Sequence, residues 1–256
     1  MDPLNRLARR TGRPMQDDWE LTHACPWRCR HCYLGEKQLR GRLTAGECER
    51  VLEQLADAGV VRLALTGGEP TLFPRFWEAA VLARRFGFRV RLFSVLAHLS
   101  DAELERLAEI GFERVETSLL GATAERHDRL TGAPGSFAGV ERAVRRLTTA
   151  GVVVRLKTVF FPENFADRGR VQELAERCGC AYGESFQVMH RTDAHEMPAS
   201  GRLSADDWRR LCDERRAELP AGRRPRRPEE THGCGAGGCG WALNPDADVF
   251  PCLLLR

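Results

Sequence analysis

At 256 residues the chain is long enough to bury one large core, and its hydrophobic content of 43% is ordinary for a water-soluble globular protein. Its 39 basic and 36 acidic side chains leave a formal charge of only +3, so the composition gives no reason to expect a nucleic-acid or membrane partner. No apolar stretch is long enough to span a bilayer, and the N-terminus carries no apolar secretory segment. We therefore expect a cytoplasmic protein.

Along the chain one unit recurs, in which a helix-like stretch ends at a glycine and an extended apolar run follows at once. A first strand is predicted over residues 18–24, and capping boxes at Thr44-x-x-Glu47 and Ser100-x-x-Glu103 predict helix starts. Alternating strands and helices require parallel pairing through right-handed crossovers. Six units are too few to close an eight-stranded barrel, so we expect an α/β fold, a partial (β/α)6 barrel open at the strand C-termini. The later apolar runs follow Gly59, Gly87, Gly111, Gly151 and Gly179.

The loop after the first predicted strand carries the spacing Cys25-x3-Cys29-x2-Cys32. Three thiolates within eight residues can each bind one iron of a 4Fe-4S cluster, and without a fourth thiolate one iron keeps an open coordination site. Thiolates also select zinc or copper(I), but structural zinc sites usually use two ligand pairs, whereas this loop offers an odd triplet. Reduced cysteines without a metal are the remaining alternative.

The sequence Gly67-Gly68-Glu69-Pro70 follows the second predicted strand. Two glycines allow the backbone to approach a ligand closely, and Glu69 adds an acceptor for an ammonium group. A strand-to-helix turn also uses glycine for its geometry alone. The cysteine loop upstream makes ligand binding the favoured interpretation.

Together, residues 25–33 and 66–71 resemble the two signature motifs of the radical S-adenosylmethionine (radical SAM) superfamily. Residues 118–137 are similar to the fourth strand and following loop of the branch that matures ribosomally made peptides. The tail over residues 234–252 resembles the start of that branch's auxiliary-cluster extension, called SPASM or, when shortened, twitch. The fold expected from the resemblance is a radical SAM partial barrel with a short extension of this kind.

The resemblance implies that a 4Fe-4S cluster is held by Cys25, Cys29 and Cys32. S-adenosylmethionine would chelate the open iron through its amino and carboxylate groups. One electron would then cleave this cofactor to methionine and a 5'-deoxyadenosyl radical, while the protein orients it and excludes water.

Further cofactor-binding residues follow from the same resemblance. Gly67, Gly68 and Glu69 correspond to the motif that binds the methionine amino group. The backbone of His31 would meet the adenine, and Ser118 would contact the ribose or the methionine end. For His31 the alternative is a solvent-facing or outer histidine, and for Ser118 a serine that only bonds the backbone.

The sequence departs from the family pattern at two places. Thr131 stands where many relatives carry an arginine, so the methionine carboxylate would lack that partner, and Lys157 on the fifth strand is the candidate replacement. A charged residue on a parallel barrel strand must point into the lumen or at solvent near an open end. The second departure is the sequence of residues 94–96, where relatives often have a Thr-Asn-Gly turn.

The tail supplies a second set of thiols. Cys234 and Cys252 fit the paired spacing of the auxiliary motif, and Cys239 lies between them. These three could hold an auxiliary 4Fe-4S cluster, and a structural zinc held by the same cysteines with His232 is the alternative. The predicted divisions are an N-terminal arm (1–16), the barrel (17–200), a helix and linker (201–230) and a truncated SPASM/twitch-like motif (231–256).

The first functional hypothesis is a radical SAM enzyme that abstracts hydrogen from a ribosomally made precursor peptide and leaves a crosslink or an epimerised centre. Its partners would be the precursor peptide, an electron donor such as ferredoxin or flavodoxin, and a separate leader-peptide recognition protein, because no such module is visible before the first strand. The second hypothesis keeps the chemistry but changes the substrate to a tetrapyrrole or another cofactor precursor. A zinc-stabilised binding or redox module is the alternative from another class.

Overall fold

The computed structural model describes residues 3–34, 41–189, 191–192, 201–217 and 236–255. The strands are β1 (Gln16–Thr22), β2 (Arg62–Gly67), β3 (Arg89–Phe93), β4 (Arg114–Ser118), β5 (Val154–Val159), β6 (Ala181–Ser185), β7 (Ala242–Leu243) and β8 (Val249–Phe250). The α-helices are α1 (Pro3–Thr11), α2 (Ala45–Ala58), α3 (Phe76–Arg85), α4 (Asp101–Ile110), α5 (Ala124–Thr131), α6 (Ser136–Thr149), α7 (Arg168–Arg177) and α8 (Ala205–Ala217). Within these residues, no helix combines the length and apolar composition that crossing a membrane requires.

All eight strands form one sheet, in the order β6-β5-β4-β3-β2-β1-β7-β8. Strands β1 to β6 lie side by side in chain order, and each pairs in parallel with the next. Among the described strands, β6 pairs with β5 alone. The partial (β/α)6 barrel predicted from the six repeated units is therefore confirmed.

Local sequence signals fix the helix ends where they were predicted. Both capping boxes form. The side chains of Thr44 and Ser100 accept from the backbone N–H of the third helical residue, and the glutamate at that third position accepts from the N–H of the capping residue. Gly59 and Gly111, both with positive φ, directly follow helices α2 and α4 and cap their C-termini. The first strand begins and ends two residues earlier than predicted, because its ladder with β2 ends at the pair Thr22–Gly67.

The two faces of the barrel strands differ in chemistry. One face packs under the helices and is apolar, with Trp19, Leu65 and Val90 fully buried in the main core. Burying a large apolar side chain contributes about 1.5–3 kcal/mol, so this face carries most of the stability of the barrel. The other face lines the lumen and carries charge, including Asp18 on β1 and Lys157 on β5.

Three lumen arginines converge on a single carboxylate near the N-terminal end of the strands. Glu113 receives Arg62 Nε at 3.0 Å, Arg89 Nη2 at 2.6 Å and Arg91 Nε at 3.0 Å. Burial alone would raise the pKa of Glu113, but the hydrogen bonds and charges of Arg91 and Arg62 outweigh it and lower that pKa. These arginines therefore form a defined ion-pair cluster.

The C-terminal tail is joined to the barrel through its sheet. Strand β7 pairs in parallel with β1, with Asp18 opposite Ala242, and β8 pairs antiparallel to β7. Helix α1 lies in the predicted N-terminal arm. Its Ala8 packs with Met15, which directly precedes β1, and with Cys239, which belongs to the tail. The tail that we expected a linker to separate from the barrel therefore extends the edge of β1.

Candidate functional site

The three cysteines predicted to bind a cluster meet at one cavity at the barrel mouth. Cys25, Cys29 and Cys32 lie on the loop that leaves β1, and all three are half-buried thiols outside any disulfide. They line a cavity of about 260 Å³. Four of the predicted cofactor-binding residues line the same cavity: His31, Gly67, Gly68 and Ser118.

Gly67 and Gly68 are required by the close approach of β2 to the cysteine loop. A Cβ at Gly67, whose φ is +123°, would lie 2.2 Å from the carbonyl oxygen of Thr22. A Cβ at Gly68 would lie 2.4 Å from the carbonyl oxygen of Ala24. The backbone N–H groups of Gly68 and Glu69 donate to these two carbonyls at 2.8 and 2.7 Å. The absence of side chains thus lets the turn after β2 hold the start of the cysteine loop.

The carboxylate of Glu69 has partners that the sequence did not indicate. It is fully buried and accepts from the backbone N–H of Val95 at 2.6 Å and from the hydroxyl of Ser94 at 2.9 Å. It also accepts from the N–H and hydroxyl of Thr71 at 3.0 and 2.6 Å. Glu69 is not among the residues that line the cavity, whereas Val95 is. Its predicted contact with an ammonium group stays a prediction.

The segment after β3, where the family turn is absent, keeps an unusual backbone. Leu96 has φ +57°, a left-handed conformation that side chains rarely adopt, and it is fully buried. The N–H of Leu96 donates to the Ser94 hydroxyl at 3.1 Å. Ser94 and Val95 therefore connect Glu69 to the cavity wall, which the sequence analysis did not foresee.

His31 and Ser118 both line the cavity. The His31 ring lies 5.1 Å from the ring of Phe161. Ser118 is the last residue of β4, half buried, and pairs in register with Lys157 on β5. Both positions are compatible with the contacts predicted for them.

Lys157 lies in the lumen beside the cavity and is not among its lining residues. Its Nζ is 3.5 Å from Oε2 of the buried Glu116 and 4.7 Å from the ring centre of Phe93. The side chain is 47% exposed, so the ammonium is accessible from the lumen. Its predicted contact with a carboxylate of the cofactor stays a prediction.

His127 and Asp128 organise the backbone beside the cysteine loop. The Nδ1 atom of His127 accepts from the N–H of Leu120 at 3.0 Å, just after β4, and burial lowers the pKa of this histidine to about 4. Asp128 accepts from the N–H groups of Gly135 and Phe137 at 2.6 and 2.8 Å and so caps helix α6. The ring of His127 also contacts that of Trp27, a residue of the cysteine loop, with ring centres 5.2 Å apart.

Thr131 contributes its backbone to the same region. Its carbonyl oxygen accepts from the N–H of Arg28, in the middle of the cysteine loop, at 2.7 Å. Its own side chain is fully buried and bonds to the carbonyl of His127 at 3.0 Å. The guanidinium of Arg28 turns back to the carbonyl of Cys25 at 2.6 Å, which braces the loop from within.

Sequence reasoning missed a buried network below the cysteine loop. Glu20 on β1 is completely buried and accepts from the Tyr33 hydroxyl at 2.6 Å and from Nε2 of His23 at 3.0 Å. The available signal was a carboxylate between the two apolar residues of the strand, Trp19 and Leu21.

The tail cysteines border a second cavity, of about 420 Å³, near the N-terminal ends of β1 to β3. Cys239 and Cys252 both line it, and Cys234 lies outside the described residues. Asp17 also lines it and accepts from the N–H of Trp241 at 2.6 Å. Burial raises the pKa of Asp17 to about 6.

The donor set at the barrel mouth suits an iron-sulfur cluster. Three thiols share a cavity whose walls include the buried Trp27, and thiolates are the usual ligands of such clusters. In the described part of the chain, no three His, Cys, Asp or Glu side chains converge on one ion position. A 4Fe-4S cluster does not need that convergence, because each thiolate binds a different iron.

Three curated relatives resemble the chain over most of its length. It is 29% identical over 247 residues to mycofactocin maturase MftC of Mycobacterium ulcerans, covering 91% of this chain and 67% of that protein. It is 29% identical over 250 residues to the PqqA peptide cyclase of Ruegeria pomeroyi, covering 91% and 66%. It is also 29% identical over 203 residues to the AdoMet-dependent heme synthase of Methanosarcina barkeri, covering 78% and 57%. The chain thus spans between 57% and 67% of the length of these relatives.

Solved structures of SuiB from Streptococcus suis share the fold. The structure bound to S-adenosylmethionine has a TM-score of 0.76 at 16% identity, covering 94% of this chain and 60% of SuiB. The structure bound to its precursor peptide SuiA also has a TM-score of 0.76, at 15% identity, covering 97% and 62%.

A family model described as the radical SAM superfamily matches residues 19–175, which is more than half of the chain. That match contains both the cysteine loop and the Gly-Gly-Glu-Pro turn, which the structure brings to one cavity at the mouth of a partial barrel. The family expected from these two motifs is therefore confirmed, and the chain belongs to the radical SAM superfamily.

Proposed function

We propose that this chain binds a 4Fe-4S cluster through Cys25, Cys29 and Cys32, cleaves S-adenosylmethionine reductively and modifies a ribosomally made peptide. The observation that carries the proposal is the single cavity shared by these thiols, Gly67, Gly68 and Ser118. The superfamily uses a 4Fe-4S cluster and S-adenosylmethionine. When bound, the cluster would supply the electron that cleaves the sulfonium.

The residues around the cavity would bind and orient the cofactor. The bare backbone at Gly67 and Gly68 would leave room for the methionine end of the cofactor. Ser118, which lines the same cavity, would donate a hydrogen bond to the cofactor. His31 would offer its backbone to the adenine. We also propose that Lys157 contacts the carboxylate of the cofactor and that Glu69 contacts its ammonium group. Neither residue is among those that line the cavity.

Apolar walls would keep water away from the reacting atoms. Trp27 is 3% exposed, and Val95 and Val159 line the same cavity. A dry site strengthens electrostatic contacts to the bound cofactor and limits side reactions with solvent.

A peptide substrate is favoured because two of the three relatives described above are named for peptide maturation or cyclisation. The modification would be a crosslink or an epimerised centre. The second candidate substrate is a tetrapyrrole, which the similarity to the AdoMet-dependent heme synthase supports. Proposed partners are an electron donor such as ferredoxin or flavodoxin and a separate leader-peptide recognition protein.

We further propose that the tail holds an auxiliary cluster through Cys239, Cys252 and Cys234. Two free thiols on the rim of a 420 Å³ cavity leave space for such a group. The proposed boundary between the barrel and this cysteine motif lies near residue 230.

The decisive test is anaerobic reconstitution with iron and sulfide, followed by reduction in the presence of S-adenosylmethionine. We expect 5'-deoxyadenosine by mass spectrometry from the native chain and none from Cys29→Ala. Cys48→Ala is the matched control, because Cys48 lies on the buried face of helix α2 and lines neither cavity. Native protein that holds a complete cluster but yields no 5'-deoxyadenosine would refute the proposal.

The substrate is tested by adding a short peptide encoded beside the gene. A loss of two hydrogens would indicate a crosslink, whereas an unchanged mass in ordinary water together with the gain of one deuterium in D2O would indicate epimerisation. Turnover of a porphyrin precursor with no change in any peptide would favour the tetrapyrrole alternative.

A further inference from the structure

A buried carboxylate joins the two ends of the cysteine loop. Glu20 has no solvent exposure, and its two oxygens contact different parts of that loop. Oε2 is 3.0 Å from Nε2 of His23, and Oε1 accepts the hydroxyl of Tyr33 at 2.6 Å. His23 lies two residues before Cys25, and Tyr33 directly follows Cys32.

These contacts hold the loop at its first and last thiol. A carboxylate only accepts hydrogen bonds, so both the imidazole and the phenol donate to it. Hydrogen bonds to a charged acceptor are the stronger kind, and a buried carboxylate that loses them would be costly. The middle of the loop is held separately, through the bond from Arg28 to Thr131.

Tyr33 also connects the cysteine loop to the segment that follows β6. Its carbonyl oxygen accepts from the N–H of Thr192 at 2.8 Å, beyond β6. Gln187 and Met189, which also follow β6, line the same cavity as the cysteines. Tyr33, which itself lines the cavity, therefore joins the end of the cysteine loop to the segment after β6.

We propose that Glu20 is a positioning residue that fixes the relative placement of the Cys25 and Cys32 thiolates through His23 and Tyr33. Glu20 is not among the residues that line the cavity, so it acts on the cluster indirectly, through these two side chains. This inference rests on the proposed cluster at the barrel mouth. Retention of that cluster would then require a buried carboxylate, which the cysteine spacing does not reveal.

The test compares cluster lifetimes in the anaerobically reconstituted full chain. We measure the rate at which a chelator bleaches the cluster, and the change in its EPR signal when S-adenosylmethionine is added. We expect Tyr33→Phe and Glu20→Ala each to speed cluster loss by roughly 10- to 100-fold, as removal of partners that orient metal ligands typically does. The double variant should lose its cluster no faster than Glu20→Ala, because the phenol has then already lost its acceptor.

Two further variants separate positioning from general stability. Glu20→Gln keeps an acceptor oxygen for Tyr33 and should recover much of the cluster lifetime. Glu113→Gln makes the same chemical change at the arginine cluster near the other end of the strands. It should lower the unfolding midpoint of the apo-protein and leave the S-adenosylmethionine-responsive signal and its lifetime unchanged.

The inference is overturned if Tyr33→Phe and Glu20→Ala keep the cluster as long as the native chain does. It is also overturned if their effects add independently in the double variant. Should Glu20→Ala fail to fold, Tyr33→Phe decides alone, since it leaves the carboxylate in place. A native chain that binds no iron-sulfur cluster would instead refute the proposed function.

Discussion

The backbone N–H of Arg28, in the middle of the cysteine loop, donates to the carbonyl oxygen of Thr131 at the end of α5 over 2.7 Å. The two residues are far apart in the chain, and the bond uses only main-chain atoms. Any residue type at position 131 could make it. The substitution of the family arginine by threonine therefore leaves this docking of the loop intact.

Restoring the arginine should damage the protein. Thr131 is fully buried, and its hydroxyl bonds to the carbonyl of His127 and to the hydroxyl of Ser136 at 3.0 and 2.9 Å. We expect Thr131→Arg to cost about 2–4 kcal/mol in the free energy of unfolding, because a much larger, charged side chain would replace a fully buried threonine. Urea unfolding of the reduced apo-protein measures this, with Thr131→Ser as the control. A fully stable Thr131→Arg that binds S-adenosylmethionine more tightly would contradict this account.

Adding one methyl group at Gly68 should disrupt the cysteine loop. The new Cβ would lie 2.4 Å from the carbonyl oxygen of Ala24 and 2.5 Å from that of His23, and neither backbone can move without shifting the loop. We expect Gly68→Ala to cost about 1–3 kcal/mol and to lower the iron bound after reconstitution. Gly169→Ala is the matched control, because its Cβ would have no neighbour within 4 Å. Equal iron content in the two variants would refute the steric argument.

Glu69 should prove important for stability as well as for binding. Its carboxylate accepts from four donors, so Glu69→Gln would turn an amide N–H toward groups that can only donate, such as the N–H of Val95. We expect a loss of about 2–3 kcal/mol in the unfolding free energy of the apo-protein, against about 1 kcal/mol for Ser94→Ala. If Glu69→Gln unfolds at the native urea midpoint but no longer binds S-adenosylmethionine, the carboxylate acts on the cofactor alone.

The stability of the protein should depend on pH through His127. The pKa of His127 is about 4 in the folded state against the ordinary histidine value of 6.5, because burial disfavours the charged imidazole. The unfolded chain therefore binds more protons as the pH falls below 6.5, and the folded state loses stability until the pH passes 4.

Between pH 7.5 and pH 5 this histidine should remove about 2 kcal/mol of stability. His127→Gln does not titrate, so the native chain should lose that much more stability than the variant over this range. Urea unfolding of both proteins at the two pH values provides the measurement. Parallel losses in both proteins would show that His127 is not the responsible group.

Lys157 offers a test of how the cofactor carboxylate is held. Lys157 pairs in register with Ser118, which lines the cavity, and its ammonium is accessible from the lumen. We expect Lys157→Met to weaken S-adenosylmethionine binding by about tenfold, the loss of one charge-assisted hydrogen bond. Isothermal titration of the reconstituted protein measures this, with Arg155→Met on the same strand as the control. Unchanged cofactor binding with lost peptide turnover would assign Lys157 to the substrate instead.

The barrel was predictable because its signals are local. The capping boxes at Thr44 and Ser100 and the glycines that end α2 and α4 lie within a few residues of the boundaries they set. Strand direction then followed from the alternation of strands with helices. The same reasoning placed the cysteines and the Gly-Gly-Glu-Pro turn at the strand C-termini, where the structure has them.

The network around the cysteine loop was not predictable in this way. Glu20 meets Tyr33 across 13 residues, and Glu69 meets Val95 across 26. Such contacts depend on how neighbouring strands end, which side-chain patterns do not encode. The prediction for Glu69 considered only a ligand, since the sequence could not show that the turn after β3 supplies two donors, the Ser94 hydroxyl and the Val95 N–H, to its carboxylate. The pairing of the tail with β1 was missed because a two-residue strand has no periodic signal.

Strand β1 has a mechanical consequence for the whole molecule. It carries the Cys25 loop at one end and is bonded along its side to β7, which follows Cys239 by only a few residues. The cysteine loop therefore leaves one end of β1, while the carbonyl oxygen of Cys239 accepts from the N–H of Met15 just before the other end, at 3.1 Å. If both groups of thiols held clusters, an electron passing between them would have to cover about the length of this strand.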